Sequence, residues 1–347
     1  MPISTTDLAN LGKIALDEYV RNAVTDQVTR DRPFLKFLLK GRKQFLGAKQ
    51  GVVLNVRKDL GSNFQWGYGD SAITFNARNT TDQVTYKWAR ATDTLSISFD
   101  RLFGAGIDVR EGTSGQFHLE QNEKVQLVNL IDEQATVLQE GFFQSLDREL
   151  HRNGTASADA IVGLDALVST TPDKGTVAGI DASANKWWRN NVSLNVSAAD
   201  LPITLEHLWR DCTRYGGSTP DYIIAGADFI DAYRSSITIT QNADASAVKR
   251  VELGTGTGTE TGLFFKGIPI VWDPAFEDLD EVESTATTKW SKRCYLLNSK
   301  RIQYRDDGMQ TVTPVRPYNV LAMYQMCIVR SVLTMTQRNA HAVLSIA

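Results

Sequence analysis

The stretch TPDYIIAGADFIDAYRS, from Thr219 to Ser235, decides the fold class of this sequence. Its first half contains a short, continuous apolar run, which is typical of a strand buried on both faces. A glycine follows, and the second half then places apolar side chains at helical intervals. The stretch therefore predicts a buried strand that runs directly into a helix, as in the layered architecture of an α/β domain.

The neighbouring sequence extends this pattern in both directions. LPITLEHLWRDCTRYGG (Leu201–Gly217) predicts an amphipathic helix that ends at the two glycines. GLFFKGIPIVWDPAF (Gly262–Phe276) predicts two strands separated at Gly267 and Pro269. Since strands and helices alternate from residue 161 to residue 306, this region predicts a single α/β domain.

A long β-hairpin is predicted ahead of this domain. GVVLNVR (Gly51–Arg57) and VTYKWARATDTLSISF (Val84–Phe99) both alternate apolar and polar residues, and their connection far exceeds an ordinary hairpin loop. In that connection Phe64, Trp66 and Tyr68 alternate with polar residues or glycine, so in a strand they would project from one side. Because an isolated hairpin has no core of its own, we expect these aromatic side chains to lie on another subunit.

Residues 113–150 predict one long helix. Apolar residues recur there at steps of three and four, namely Val128, Ile131, Ala135, Leu138, Phe142 and Leu146. Thr113 or Ser114 is predicted to cap the start, and Gly154 to follow the end. Such a helix is longer than a small compact domain is wide. We expect the strands after residue 307 to return beside it.

A basic segment precedes the hairpin. Nine basic residues and one acid, Asp31, lie between Arg30 and Lys58, in a chain whose formal net charge is −3. Most charge runs are solvated surface, and that reading stays open. The alternative is an arm that lies on a neighbouring subunit or contacts phosphate. Its candidate contact residues are Lys40, Arg42 and Lys43.

Two adjacent tryptophans, Trp187 and Trp188, stand in TVAGIDASANKWWRN (Thr176–Asn190). Aromatic residues followed by an arginine are typical of the buried centre of an interface. The same residues could form a buried core or a platform on which bases stack. The local sequence leaves these three alternatives open.

The sequence contains no clear motif for a catalytic, metal-binding or phosphate-binding site. The four histidines and three cysteines show no metal-binding spacing, and LGTGTGTETG (Leu253–Gly262) lacks the Lys-Ser/Thr pair of a phosphate loop. The acidic run FEDLDEVES (Phe276–Ser284) is expected to be a solvated loop, with a metal-assisted hydrolase as the alternative. We therefore predict no catalytic site, no metal and no cofactor.

Composition narrows the class of protein. The chain has 347 residues, of which 42% are hydrophobic and 22% charged, values that are ordinary for globular domains. No apolar run approaches the roughly 20 residues of a membrane helix, so no membrane partner is expected. The slightly acidic net charge gives no overall attraction to nucleic acid.

Five stretches in order resemble the major capsid proteins of tailed bacteriophages with the HK97 fold. They are IVGLDALVSTT (161–171), TVAGIDASANKWWRNN (176–191), the opening stretch, FKGIPIVWDP (265–274) and YLLNSKRIQYR (295–305). The resemblance implies an α+β, HK97-like capsid fold with four parts. These are an N-arm (1–48), an E-loop hairpin (49–102), a P domain with a long spine helix (103–160 and 307–347) and an A domain (161–306). In that layout Trp187 and Trp188 would be packing anchors between domains or subunits.

The resemblance also implies a function. Such a protein self-assembles into hexamers and pentamers of an icosahedral head that encloses double-stranded DNA. The shell is assembled in the cytoplasm of a host bacterium and becomes part of the virion. A portal protein and a separate scaffolding protein are expected partners, and a decoration protein is an optional one. No lysine lies between Lys58 and Lys87, so no crosslink is expected at the hairpin tip. The alternative is the shell of a cellular nanocompartment with the same fold.

Overall fold

The computed structural model describes residues 30–44, 51–104, 110–111, 117–118, 121–215, 219–236, 260–283, 288–315 and 321–347. Its helices are Pro33–Lys40, Phe99–Gly104, Gln121–His151, Leu164–Leu167, Leu201–Arg214, Ala227–Ser236 and Ala275–Val282. Its strands are β1 (Lys43–Gln44), β2 (Gly51–Arg57), β3 (Thr81–Lys87), β4 (Ala89–Ser98), β5 (Arg110–Glu111), β6 (Phe117–His118), β7 (Thr176–Val177), β8 (Ile180–Asp181), β9 (Asn191–Val196), β10 (Tyr222–Ala225), β11 (Glu260–Phe265), β12 (Ile268–Trp272), β13 (Arg293–Leu297), β14 (Ile302–Asp306), β15 (Gln310–Val315), β16 (Ala322–Met335) and β17 (Ala342–Ile346). Short 3-10 turns lie at Lys186–Trp188 and Arg338–Ala340.

The described residues belong to two compact units. The first contains Arg90–Leu146 and Gly308–Arg330. The second contains Arg30–Ala89, Asp147–Asp307 and Ser331–Ala347. The sheet predicted from the opening stretch lies in the second unit.

Strand β10 lies inside a six-stranded sheet with the order β11-β12-β10-β13-β17-β9. Ile223 of β10 is opposite Ile270 of the parallel strand β12 and Leu296 of the antiparallel strand β13. All three side chains are buried. The predicted passage from a buried strand into a helix is confirmed, because Ala227–Ser236 follows β10 after one residue.

That one residue, Gly226, lies at a close backbone contact. A Cβ atom at this position would be 2.3 Å from the carbonyl oxygen of Ser291. The Gly226 N–H donates to the carbonyl of Arg293 at 3.0 Å. A larger side chain would push the turn away from the start of β13, so the strand-to-helix turn requires glycine.

The helix Leu201–Arg214 packs one face on this sheet, as its amphipathic pattern predicted. Leu201, Leu205, Leu208 and Cys212 recur at helical spacing and are all buried in the same core as Ile223 and Leu296. Burial of each large apolar side chain contributes about 1.5–3 kcal/mol. Their common face therefore fixes the helix on the sheet.

The strand β17 occupies the interior of the sheet, between β13 and β9. Leu344 is opposite Cys294 on one side and Ser193 on the other. Strand β17, which lies in the region expected to return beside the long helix, therefore belongs to the six-stranded sheet of the second unit. Most of its side chains are buried on both faces, which suits the inside of a sheet better than an edge.

The strand β16 is long and contributes to both units. In the second unit, residues 331–335 pair with β14, which pairs in parallel with β1. In the first unit, the earlier part of β16 pairs with β15 and β4. The predicted alternating strands near the end of the chain are thus present.

The long helix runs from Gln121 to His151, about 45 Å at 1.5 Å per residue. Its predicted start near Thr113 was too early, because Phe117–His118 forms strand β6 opposite β5. Leu138, Phe142 and Leu146 of the predicted apolar stripe are buried; the side chains of Val128 and Ile131 lie outside the described ones. Among the described residues, no helix is long and apolar enough to cross a membrane.

The predicted hairpin is formed by β2 and β3, which pair from Gly51 opposite Lys87 to Arg57 opposite Thr81. The strand predicted at Val84–Phe99 is divided, since β4 pairs with β16 instead of β2. The base of the hairpin is anchored by Tyr86, which is buried and donates its hydroxyl to the carbonyl of Met335 at 2.8 Å.

Arg338 is a buried arginine that holds several loops of the second unit. Its guanidinium donates to the carbonyls of Leu167 at 2.7 Å and Trp188 at 2.8 Å. It also donates to the carbonyl of Ala166 and to the side-chain oxygen of Asn190. These acceptors are neutral, and burial lowers the pKa of Arg338 to about 10. The guanidinium fork therefore cross-links three chain segments by charge-assisted hydrogen bonds.

Replacing this arginine should destabilise the second unit. We expect Arg338→Met to lower the free energy of unfolding by about 2–4 kcal/mol, because three backbone carbonyls would lose their donors inside the protein. Arg338→Lys should recover only part of the loss, since an ammonium group cannot reproduce the planar fork. Urea unfolding followed by circular dichroism measures both. Arg210→Met, at an exposed arginine, is the control and should change stability by less than about 0.5 kcal/mol. Equal midpoints for Arg338→Met and the control would contradict the role of Arg338.

Candidate subunit interface

The connection between β2 and β3 carries the most exposed aromatic side chains described in the structure. Trp66 is 91% exposed, Tyr68 97% and Phe75 89%. Phe64 and Ile73 are also largely exposed. Scattered apolar residues are ordinary on a protein surface, but a concentration in one loop indicates an interaction site. We call residues 58–80 the aromatic loop.

The aromatic loop holds its own shape through polar groups. The side chain of Gln65 donates to the carbonyl of Thr74 at 3.2 Å and accepts from the N–H of Thr74 at 3.3 Å. At the tip, Ser71 Oγ accepts from the N–H of Tyr68 at 3.0 Å and donates to its carbonyl at 2.7 Å. The two arms of the loop are thus joined without using any aromatic side chain.

Two of the three aromatic side chains that were predicted to project from one side of the loop lie together in the structure. The rings of Phe64 and Trp66 meet edge to face, with centroids 5.1 Å apart. Tyr68 lies at the turn that closes the tip. Removal of such rings from water contributes about 1.5–3 kcal/mol for each large side chain that is fully buried. The three residues can supply this energy to a partner at no cost to the fold of their own chain.

The two adjacent tryptophans, Trp187 and Trp188, have different environments. Trp188 is 1% exposed, and its Nε1–H donates to the carbonyl of Val177 at 3.1 Å. Trp187 is half-buried and donates to the side chain of Asn185 at 3.1 Å. The interface prediction is wrong for Trp188, because its side chain has almost no surface to offer a second subunit. It is an anchor inside the chain, whereas for Trp187 the interface role stays a prediction.

The basic segment is docked on its own chain. The helix Pro33–Lys40 buries Phe34, Leu35 and Leu38. Arg42 pairs with the carboxylate of Asp306 at 2.9 Å. Three of the remaining described cations there also have acidic partners in the same chain: Arg30 with Asp278, Lys36 with Asp31, and Lys58 with Asp82.

Lys40 and Lys43 are exposed at the end of this docked helix and in β1. Of the three predicted contact residues, they are the two that remain open to a partner, since Arg42 is already paired with Asp306. Lys49 lies outside the described residues.

The acidic run is a helix, so the expectation of a solvated loop was wrong. In Ala275–Val282 the carboxylate of Asp280 accepts the N–H groups of Trp290 at 2.6 Å and Ser291 at 2.9 Å. Glu283 accepts from Arg152 at 2.8 Å and from the Trp290 indole at 3.1 Å. These carboxylates bind the following loop. Of the glycine-rich stretch, residues 253–259 lie outside the described residues, and 260–262 begin β11.

Sequence reasoning missed a buried triad formed by Asp147, His151 and Asp273. His151 Nδ1 donates to the backbone carbonyl of Asp147 at 2.7 Å, and Nε2 is 3.1 Å from the carboxylate of Asp273. The Asp147 carboxylate accepts the N–H of Leu35 at 3.1 Å, and that of Asp273 accepts the N–H of Ala275 at 2.9 Å. The spacing of Asp147 and His151 by four residues on a helix was a visible signal.

This triad is the one group of described residues whose ligand atoms lie close enough to hold a metal ion, all within 4.8 Å. Both ring nitrogens of His151 are already in hydrogen bonds, and each carboxylate accepts a backbone amide. We therefore treat the triad as a closed hydrogen-bonded network, and assign no metal to it.

No protein-family model and no curated protein matches the sequence. Solved capsid structures match it along nearly the whole chain. The capsid asymmetric unit of cyanophage A-1(L) is 14% identical, with 96% of this chain and 98% of that chain covered and a TM-score of 0.64. The capsid of Myoviridae phage XM1 is 14% identical, with 99% of both chains covered and a TM-score of 0.58. The capsid of the native GTA particle is 12% identical, with 96% and 98% covered and a TM-score of 0.53.

These likenesses establish the fold. The chain has the α+β, HK97-like capsid fold that the five sequence stretches predicted. The agreement extends over full-length chains, although at most one residue in seven is identical. The fold is therefore specified by the pattern of burial and strand pairing, which few individual residues reveal.

Removal of the exposed rings should abolish association without unfolding the chain. We expect Trp66→Ala with Tyr68→Ala to leave circular dichroism and the urea midpoint nearly unchanged, because both rings are exposed. Self-association measured by light scattering should weaken by about 2 kcal/mol or more per truncated anchor. Trp188→Ala is the matched control, and it should lower stability by about 3–5 kcal/mol because that ring is buried. Unfolding of the loop variant, or unchanged association, would refute the interface.

Proposed function

We propose that this chain is a bacteriophage major capsid protein that assembles into the hexamers and pentamers of an icosahedral head enclosing double-stranded DNA. The observation that carries the proposal is the match of the full chain to capsid chains of the same length. The aromatic loop supports it independently, since this loop exposes apolar surface that a partner can cover.

We infer that the aromatic loop docks on the first unit of a neighbouring copy. That unit exposes apolar side chains of its own, including Phe103 (70%), Val137 and Leu321. Phe103 follows β4, Val137 lies on the long helix, and Leu321 precedes β16. An interface between an aromatic loop and an apolar surface gains free energy mainly from desolvation of a few large rings.

In the proposed shell, each of the four parts that the sequence predicts would have its own role. We propose the N-arm at 1–48, the E-loop hairpin at 49–102 with the aromatic loop at its tip, the P domain at 103–160 and 307–347, and the A domain at 161–306. β17 departs from a simple assignment, because it completes the sheet of the second unit. The sheet around β10 would then lie in the A domain.

The partners follow from assembly of such a head. We propose a separate scaffolding protein, a portal protein and packaged double-stranded DNA, with a decoration protein as an optional addition. Assembly would take place in the cytoplasm of a host bacterium, and the product would be the virion. The protein would act as a structural component, with its chemistry confined to the formation of interfaces. The acidic helix supports this role, since Asp280 and Glu283 are held in structural hydrogen bonds.

Expression of the chain, alone and with a scaffolding partner, tests the proposed function. We expect capsomers, shells, tubes or sheets in electron micrographs, because many weak contacts become strong when they act together. Shells recovered from infected or induced cells should contain double-stranded DNA. A chain that stays a 38.5 kDa monomer at high concentration under both conditions would refute the proposal. Shells filled with an enzyme instead of DNA would identify a nanocompartment.

Lys40 and Lys43, the two exposed lysines of the basic segment, should promote assembly at low salt. We expect Lys40→Glu with Lys43→Glu to reduce the yield of shells or their retention of DNA, and the defect should fade above about 0.3 M salt because exposed charges are screened. Arg42→Glu should also lower the stability of the isolated chain, since it replaces the Arg42–Asp306 ion pair with two like charges. The urea midpoint of each variant separates the two effects. Wild-type yield from the double variant at low salt would leave these lysines as plain solvated surface.

A further inference from the structure

The helix Pro33–Lys40 covers the buried triad of Asp147, His151 and Asp273. The ring of Phe34 is 4.6 Å from the ring of His151, and Phe34 is fully buried. The next residue, Leu35, donates its N–H to the Asp147 carboxylate. Two consecutive residues of the helix therefore contact two members of the triad, and the helix cannot leave without exposing the triad to water.

Other groups around the triad define its charge. Phe276 and Trp290 place their rings 5.3 Å and 6.5 Å from that of His151, so the walls are largely apolar. From the segment before the helix, Arg32 attracts the Asp147 carboxylate. Tyr222 stacks on Phe37 at 4.1 Å, and its phenol is buried close to both carboxylates and to Asp31. The triad thus holds two acids and one base in a site with little water to stabilise a net charge.

We propose that Asp147, His151 and Asp273 form a proton-operated latch that holds the helix Pro33–Lys40 on the second unit and weakens its hold as the pH rises. When Asp147 is protonated and His151 is charged, the triad is neutral, with one ion pair between His151 and Asp273. Loss of each proton adds one uncompensated negative charge beneath Phe34. Water can stabilise that charge only if the helix lifts.

The protonation equilibria follow this geometry. Burial raises the pKa of Asp147 to about 7; the charge on His151 opposes the shift and that on Asp273 adds to it. Burial alone would lower the pKa of His151, but the carboxylates of Asp273 and Asp147 outweigh it and raise the pKa to about 9. Both groups therefore bind protons more tightly in the docked state than at their ordinary pKa values of 3.8 and 6.5.

The sign of the pH dependence is the same for both groups. Stability that comes from a raised pKa is complete below the ordinary value and is lost as the pH passes through the raised one. The contribution of Asp147 is lost between pH 3.8 and about 7. That of His151 is lost between pH 6.5 and about 9. Docking of the helix should weaken throughout this range and become constant above it.

Hydrogen exchange of the full-length chain between pH 5 and pH 9.5 tests the latch. After correction for the intrinsic pH dependence of exchange, protection of amides in residues 34–40 should fall at least about tenfold from pH 6 to pH 9. Amides of β10 and β13 serve as an internal reference and should keep their protection. A flat profile for residues 34–40 would overturn the proposal. Equal loss in β10 and β13 would also overturn it, because the triad would then control global stability.

Two variants separate the members of the latch. Asp147→Asn keeps an oxygen to accept the Leu35 N–H but cannot titrate, so its profile should be flat from pH 5 to about 6.5 and fall only above that. His151→Gln removes the charge that opposes the shift of Asp147, so only the fall due to Asp147 should remain, and it should move to higher pH than in the wild type. Asp306→Asn is the control, since it removes the ion pair of Arg42 from the same segment but leaves the triad intact, and its profile should match the wild type. A wild-type profile for Asp147→Asn would contradict the latch even if His151→Gln failed to fold.

Discussion

The hydrogen bonds of Arg338 hold together loops of the second unit that are distant in sequence. A buried cation is expensive to desolvate, and here its charge is balanced by the dipoles of neutral oxygens. Two of those oxygens, on Trp188 and Asn190, lie just before β9, and Arg338 itself lies just before β17. The same guanidinium therefore fixes the N-terminal end of the parallel pair β9 and β17.

The sequence predicted secondary structure correctly wherever buried residues recur at the short, regular intervals of a helix or a strand. The run before Gly226, the apolar face of Leu201–Arg214 and the alternation in β2 predicted their elements correctly, because neighbours along the chain share one environment. The placement of β17 could not be predicted this way. A strand that is buried on both faces has the same apolar sequence whichever strands it pairs with. Its position depends on pairing with residues roughly fifty and a hundred and fifty positions earlier.

The same limit applies to the candidate sites. Trp66 and Trp188 are one residue type in equally aromatic surroundings, yet one is 91% exposed and the other 1%. The difference comes from partners distant in sequence, since Arg338 reaches the carbonyl of Trp188 across 150 positions. In the triad, Asp147 and His151 are a turn apart and could be paired from the sequence. Asp273 is 122 positions from His151, and only the fold brings them together.

The interior position of β17 has a consequence for the synthesis of the protein. β9, β10, β11, β12 and β13 all leave the ribosome before β17, so the sheet has an open gap between β13 and β9 until the last strand emerges. A gap of this kind leaves two strand edges unpaired, which is an aggregation hazard for a nascent chain. It also acts as a check on completeness, because a chain truncated before residue 342 cannot close its sheet.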